Sequence, residues 1–181
     1  MNSEARSITT GFAPIAGPGA TVLILGSLPS RKSLERHQYY GHPQNAFWRI
    51  MNELFGAAAS LPYEKRKHIL IRNGIAVWDV LAASVRPGSL DASIERGTAR
   101  ANNFRAFFAD HPGLQLVCFN GRAAETLFRR LVAPTLEKGS NTPVFQTLPS
   151  TSPAHAAMRY EAKLERWRIV KSGRDTTGEQ K

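Results

Sequence analysis

Cysteine and acidic residues are scarce in this chain of 181 residues. A single cysteine, Cys118, excludes an internal disulfide and any zinc cluster built from several cysteines. It stands within an apolar run, where a small buried core residue is expected. The five histidines show no i, i+4 pair and no other spacing typical of metal ligands. We therefore expect no metal site.

Long hydrophobic runs are also missing. The apolar stretches cover residues 22–25, 75–80, 116–119 and 144–148. Each is far too short to span a bilayer, and the first ten residues lack the apolar core of a signal peptide. These absences predict a cytoplasmic protein without a membrane partner.

Length and composition fit a single domain. The chain is 42% hydrophobic, which is enough for a full core, and it contains no internal repeat or linker. Its two ends are polar and lack periodicity. We expect one monomeric domain at residues 12–171, between disordered tails at residues 1–11 and 172–181.

Positive charge dominates the ionisable residues. There are 24 lysines and arginines against 14 acidic residues, a formal net charge of +10. They are spread along the chain, and a basic surface attracts phosphate backbones. Many basic proteins bind nothing specific, so charge alone leaves nucleic-acid binding open.

Short apolar runs alternate with segments of helical period. This pattern predicts a three-layer α/β/α sandwich with a mostly parallel sheet of about four strands. After the first strand, Pro43 can begin a helix whose apolar residues run from Phe47 to Phe55, and Gly56 can end it. A second helix is expected to stop at Asn73 and Gly74.

Ligands of an open parallel sheet bind beyond the carboxyl ends of its strands. Four segments follow the apolar runs: residues 26–30, the loop from Asp79 to Asp91, residues 120–121 and residues 150–155. The segment "GSLPS" lacks the Gly-Lys-Ser/Thr of a phosphate-binding loop, which argues against a nucleotide hydrolase. The hydroxyl-rich loops also lack the Gly-x-Ser-x-Gly elbow of a serine hydrolase.

The segment "YYGHPQNAFW" combines aromatic rings with an amide. An enzyme that acts on a nucleic-acid base flips the base out of the double helix and holds it against aromatic side chains. Tyr39, Tyr40, Phe47 and Trp48 supply such faces, although the spacing of Phe47 also fits the core stripe of a helix. Asn45 fits a catalytic amide, and it equally fits a helix cap.

These motifs resemble the uracil-DNA glycosylase superfamily over roughly residues 12–170. "LILGSLPS" is similar to its first motif, "HPQNAFW" to a segment of the mismatch-specific branch, and "LPSTSPAHA" to its second motif. Together with "VWDVLAASVRPGSLDASI" they most resemble the hypoxanthine (deoxyinosine) branch. Leu28 stands where the mismatch-specific branch has asparagine, and Ser150 about where the uracil enzymes have histidine. The resemblance therefore points to Asn45 as the catalytic residue.

The resemblance implies a monofunctional DNA glycosylase that needs no cofactor and starts base-excision repair. Its expected partner is double- or single-stranded DNA with a deaminated base, hypoxanthine first, with uracil or xanthine as further substrates. The residues expected to hold the base are Gly26, Ser27, Leu28, Phe47, Asp79 and Asn120. The residues expected to contact DNA are Ser30, Ser150, Thr151, Ser152, His155, Met158 and Arg159; one of the last three would fill the vacated stack.

Asp79 has two interpretations. Asp79 can read the base, since a carboxylate accepts the N1–H of hypoxanthine but meets a bare acceptor in adenine. It can equally cap a turn or pair with an arginine such as Arg86.

Two other functions compete with a glycosylase. One is a module that binds damaged DNA without chemistry, and the other is a hydrolase of free nucleosides or nucleotides.

Overall fold

Parallel strands form the central sheet of the structure, a computed structural model that describes residues 7–88, 90–136 and 142–173. The strands are β2 Val22–Gly26, β3 Ile75–Asp79, β6 Leu116–Asn120 and β7 Val144–Leu148. They lie in the order β3–β2–β6–β7, and all neighbouring pairs are parallel. β2 and β3 are buried along their whole length, as expected where both faces of a parallel sheet are covered. The predicted sheet is confirmed.

Helices flank this sheet and complete the predicted three-layer α/β/α architecture. They are α1 Arg31–Arg36, α2 Phe47–Phe55, α3 Tyr63–Arg72, α4 Phe104–Asp110, α5 Arg122–Leu131, α6 Tyr160–Trp167 and α7 Ile169–Ser172. α3 packs on β3, and α5 packs on β2, β6 and β7. Gly56 ends α2 with a left-handed φ of 76°, as its sequence position predicts.

The start of α2 differs from the prediction. The helix begins at Phe47, and Pro43 lies in the preceding turn. Two hydrogen bonds fix this start, because the Phe47 N–H donates to Asn45 Oδ1 at 2.9 Å and the Ala46 N–H donates to the Thr151 carbonyl at 3.0 Å. A side-chain acceptor two residues before the helix competes with an earlier helical turn. The asparagine and the tertiary contact therefore decide the boundary.

A smaller antiparallel sheet was not predicted. Its strands are β1 Ile8–Thr10, β4 Leu81–Val85 and β5 Arg100–Ala101, in the order β1–β4–β5. β1 corrects the expectation that residues 1–11 are disordered, since its β-branched residues pair with β4 and place Ile8 opposite Val85. Of the predicted tails, residues 1–6 and 174–181 lie outside the described residues, and Ser172 forms the end of α7.

The parallel direction of the strands brings their carboxyl ends to one edge of the sheet. Gly26 is in register with Asp79 on β3, and Leu25 is in register with Phe119 on β6. Asn120 is in register with Leu148 on β7. The loops that follow these strands therefore share this edge.

Candidate active site

A cleft of about 100 Å³ opens at the carboxyl edge of the sheet. The predicted site residues that line it are Gly26, Ser27, Leu28, Ser30, Asn45, Asp79, Asn120, Ser150, Thr151 and Ser152. The remaining lining residues are Pro29, Ser33, Tyr39, Tyr40 and Asp91. The four segments that follow the strands thus meet in a single crevice, as the sequence predicts. Phe47, His155, Met158 and Arg159 lie outside this lining.

The first wall of the cleft is the loop "GSLPS". A side chain at Gly26 would collide with Asp79 Oδ1, so only glycine permits this close approach. The buried Arg86 donates from its guanidinium to the carbonyls of Leu28, at 3.1 Å, and Pro29. An internal cation therefore fixes the backbone of this loop.

Ser30 ends the same loop and serves the fold. Its hydroxyl accepts the Ser33 N–H at 3.2 Å and caps α1. The predicted contact of Ser30 with DNA has to coexist with this cap.

Asn45 stands in the turn before α2 and is half-buried. The hydrogen bond from the Phe47 N–H orients its amide, so the predicted structural role at the helix start is real, although the N-cap position itself is Ala46. An amide oxygen has two lone pairs and the amide nitrogen has two protons. The bond to Phe47 uses one lone pair, which leaves the other and both protons for a ligand or a water in the cleft. The two roles proposed for Asn45 from the sequence are compatible.

Phe47 does not reach the cleft, which corrects its assignment as the ring that stacks the base. Its side chain is 0% exposed, and it packs edge-on against Trp48 and Trp167. Tyr40 lies over it at 4.0 Å between ring centroids and lines the cleft instead. The alternative expectation, that Phe47 belongs to the core stripe of its helix, is confirmed.

Asp79 is the buried carboxyl group of the cleft. Asp79 is only 3% exposed. Its Oδ2 atom has no hydrogen-bond partner among the described residues. The pKa of Asp79 is raised to about 7, mainly by burial and then by the charge of Asp91, whereas the charge of Arg86 opposes the shift. Arg86 itself donates to Leu28 and Pro29. The structure therefore leaves a buried oxygen of Asp79, a residue that lines the cleft, without a partner among the described residues.

Replacing Asp79 with asparagine is expected to stabilise the protein above neutral pH. A carboxyl group whose pKa is raised on folding stabilises the native state fully below about pH 4 and loses this contribution as the pH rises through about 7. The asparagine variant escapes that loss, so its advantage should grow to on the order of 1–4 kcal/mol, or several degrees in Tm, at about pH 8.

Thermal melting at intervals between about pH 4 and pH 8 measures this difference. Asp110→Asn is the matched control, because Asp110 is an exposed carboxylate away from the cleft. A constant difference between wild type and Asp79→Asn over the whole range would contradict the expectation.

Asn120 and Thr151 both line the cleft and are joined by two hydrogen bonds, here called the Asn120 clasp. Asn120 Nδ2 donates to Thr151 Oγ1, and the Thr151 N–H donates back to Asn120 Oδ1, both at 2.8 Å. Thr151 is 1% exposed. The pair therefore joins the end of β6 to the loop after β7. This corrects the expectation of Thr151 as a DNA contact, since a buried hydroxyl cannot meet a phosphate, and the Asn120 amide is largely committed to the fold.

The loop after β7 carries the remaining predicted DNA contacts. Ser150 and Ser152 are half-buried, and their hydroxyls accept the N–H groups of Ser152 and Ala154, each at 3.2 Å. His155 is exposed and, with the half-buried Met158, borders a neighbouring groove.

That neighbouring groove is basic. Arg122, Arg129 and Arg166 also line it, against one acidic residue, Glu125, which pairs with Arg129 at 2.8 Å. The groove and the cleft share Ser150. Arg159 is exposed outside both grooves. These positions suit contacts to a phosphate backbone outside the cleft.

Two features of the cleft do not follow from the sequence: the presence of Asp91, and Tyr40 rather than Phe47 as its aromatic ring. Asp91 was visible only as the end of the loop that begins at Asp79. Its place in the cleft depends on the folding of β4 and the turn behind it. Tyr40 was one of four candidate rings, and only the packing of α2 distinguishes it from Phe47.

In the part of the chain that the structure describes, no group of three or more histidine, cysteine or acidic side chains could hold a metal ion. The described helices are too short or too polar to cross a membrane.

Comparisons with known proteins agree on one family. A model of the uracil DNA glycosylase superfamily matches residues 14–171. The chain is 40% identical over 167 residues to a hypoxanthine DNA glycosylase of Methanosarcina acetivorans, which covers 90% of this chain and 98% of that protein. It is 42% identical over 113 residues to a hypoxanthine DNA glycosylase of Methanosarcina barkeri, 62% of this chain and 70% of that one.

A solved structure resembles the whole fold. It is a solution NMR structure of a candidate uracil DNA glycosylase from Methanosarcina acetivorans. The TM-score is 0.72 at 34% sequence identity, and the match covers 92% of this chain and 99% of the other.

Proposed function

Because the chain belongs to the uracil DNA glycosylase superfamily and is a DNA glycosylase, we propose that its preferred substrate is DNA containing hypoxanthine. In this proposal the enzyme hydrolyses the N-glycosidic bond of a flipped deoxyinosine and starts base-excision repair. It acts as a cytoplasmic monomer on double- or single-stranded DNA. Two relatives named as hypoxanthine DNA glycosylases support the choice of base.

The observation that carries this choice is the unpartnered carboxyl oxygen of Asp79. A buried acceptor without a partner costs free energy, and a ligand that donates a hydrogen bond to it recovers that cost. Hypoxanthine donates from N1–H, whereas adenine presents an acceptor at the same position. Uracil and xanthine also carry ring N–H groups, so we include them as weaker substrates.

The proposed chemistry needs a polar but not strongly basic site. As the glycosidic bond breaks, negative charge builds on the base and positive charge on the deoxyribose. Asn45 orients the attacking water through its amide. Backbone groups of Gly26, Ser27 and Leu28 contact the base, and the ring of Tyr40 takes the stacking role first assigned to Phe47.

The DNA around the flipped nucleotide meets the loop after β7. Ser150 and Ser152 contact the flanking phosphates, and His155, Met158 or Arg159 enters the space that the base leaves. The adjacent groove with Arg122, Arg129 and Arg166 extends the basic surface.

The decisive experiment uses an end-labelled duplex with one deoxyinosine. Incubation followed by alkali should cut the strand at that position, and a matched duplex with adenine should stay intact. Without alkali the strand should also stay intact, because Lys32, the lysine nearest the first loop in sequence, is exposed and paired with Glu35 at 2.7 Å. Binding without alkali-labile sites would favour the non-catalytic module. Faster hydrolysis of free deoxyinosine would favour the nucleoside hydrolase.

Affinity for undamaged DNA is expected to fall steeply with salt. A net charge of +10 implies that binding releases counterions from the phosphates, and each neutralised phosphate adds to the salt dependence. The Kd for an undamaged duplex should rise at least about tenfold between about 50 and 200 mM salt. Fluorescence anisotropy with a labelled duplex measures it. A Kd that stays flat over this range would remove phosphate neutralisation as the source of affinity.

A further inference from the structure

Asp91 is the second carboxyl group of the cleft. It begins a short 3₁₀ turn, Asp91–Ser93, in the connection between β4 and β5. Its side chain is 43% exposed, whereas Asp79 is only 3% exposed as a residue. Among the described residues that line the cleft, only these two carry carboxyl groups. Asp91 is therefore the carboxylate that solvent water reaches.

A hydrogen-bond network attaches Asp91 to the first loop. The Ser27 hydroxyl donates to Asp91 Oδ1, and Arg86 Nη1 lies 3.9 Å from the same oxygen. Arg86 also holds the carbonyls of Leu28 and Pro29. The network fixes one carboxylate oxygen, and the second oxygen takes no part in it.

Apart from Asp79, the other groups considered for the cleft do not accept a proton from water near neutral pH. The amide of Asn45 orients a water but does not ionise, and Leu28 is apolar. Tyr40 stays protonated, because burial and then the charge of Asp79 raise its pKa above the usual range. Asp79 is buried and is assigned to the base in the proposed function.

We propose that Asp91 is a catalytic carboxylate that accepts the proton of the attacking water and faces the positive charge that develops on the deoxyribose. This inference rests on the proposed function. The water oxygen bonds to C1′ while the glycosidic bond breaks and its electron pair leaves with the base. One water proton passes to Asp91, and the released base anion is then protonated from Asp91 or from solvent. No further reactant is required.

The rival role is structural, with Asp91 serving only to hold Ser27. Two substitutions separate the roles because they keep different parts of the side chain. Asp91→Asn keeps the length and an oxygen that accepts from Ser27, but it cannot take a proton. Asp91→Glu keeps the carboxylate and lengthens the side chain by one methylene.

Single-turnover cleavage of a deoxyinosine duplex tests the proposal. Asp91→Asn should be slowed by on the order of a hundredfold or more, which is typical for loss of a general base. Asp91→Glu should retain more activity than Asp91→Asn. The opposite order of the two variants would overturn the proposal, as would an Asp91→Asn rate within about threefold of wild type. The test compares the cleavage rates of two variants at the same position. A moderate loss of stability in both variants therefore does not change its outcome.

Controls separate this inference from the proposed function. Asp110→Asn changes the net charge by the same amount away from the cleft and should leave the rate unchanged. A wild-type protein that releases no hypoxanthine would refute the proposed substrate, and a uracil duplex would then carry the comparison of variants. A loss in Asp91→Asn that is confined to hypoxanthine would assign Asp91 to base reading and overturn the catalytic role.

Discussion

Asn45→Ala is expected to slow single-turnover cleavage of deoxyinosine by on the order of a hundredfold or more, the usual effect of removing one preorganised dipole from a transition state. The affinity for DNA should change little, since the half-buried side chain of Asn45 contributes no charge to phosphate binding. Loss of the bond to the Phe47 N–H should cost about 1 kcal/mol of stability. Rapid-quench cleavage, DNA binding and thermal melting measure the three effects.

Gln44→Ala is the matched control for Asn45→Ala. It removes the same functional group from the adjacent, exposed position, which is not part of the cleft lining. A catalytic amide at Asn45 predicts a large difference between the two variants. Cleavage by Asn45→Ala at nearly the wild-type rate would move catalysis to another group.

Asp79→Asn is expected to change which base the enzyme prefers. At about pH 8 the carboxyl group is largely ionised, because its pKa is about 7, and it can only accept a hydrogen bond. An amide can turn either its oxygen or its nitrogen toward a base. Cleavage of deoxyinosine should therefore fall more than cleavage of deoxyuridine, by a margin of about 1–3 kcal/mol in transition-state stabilisation.

Parallel single-turnover assays on the two duplexes give this ratio directly. An equal fall on both bases would assign Asp79 to the scaffold. The melting curves described for the same variant show whether its fold is intact, and a change in melting temperature alone, without a change in either rate, would have the same meaning.

The sequence predicts the position of the cleft because strand direction alone determines it. Residues 26–30, 120–121 and 150–155 follow apolar runs, and parallel strands bring such residues to one edge. Gly56 and Gly74 could be predicted as helix ends for a similarly local reason. Glycine accepts the left-handed φ that ends a helix, and both residues adopt it.

Roles within the cleft were less predictable, because they depend on contacts between distant segments. Phe47 and Tyr40 are both aromatic, and only the packing of α2 buries the first beneath the second. Thr151 looks like a phosphate ligand in sequence, but its partner is Asn120, 31 residues away. Residues Ile8 to Thr10 look like part of a polar tail in the sequence, and they form a strand because they pair with β4.

The bond from the Ala46 N–H to the Thr151 carbonyl has a consequence for the energetics of DNA recognition. It joins the turn that carries Asn45 to the loop proposed to meet the phosphates, and the Asn120 clasp holds the same loop from the other side. The entropy lost in bringing the two walls together is therefore incurred when the chain folds, not when DNA arrives. A duplex that engages the loop meets the Asn45 amide, the proposed catalytic group, already in place.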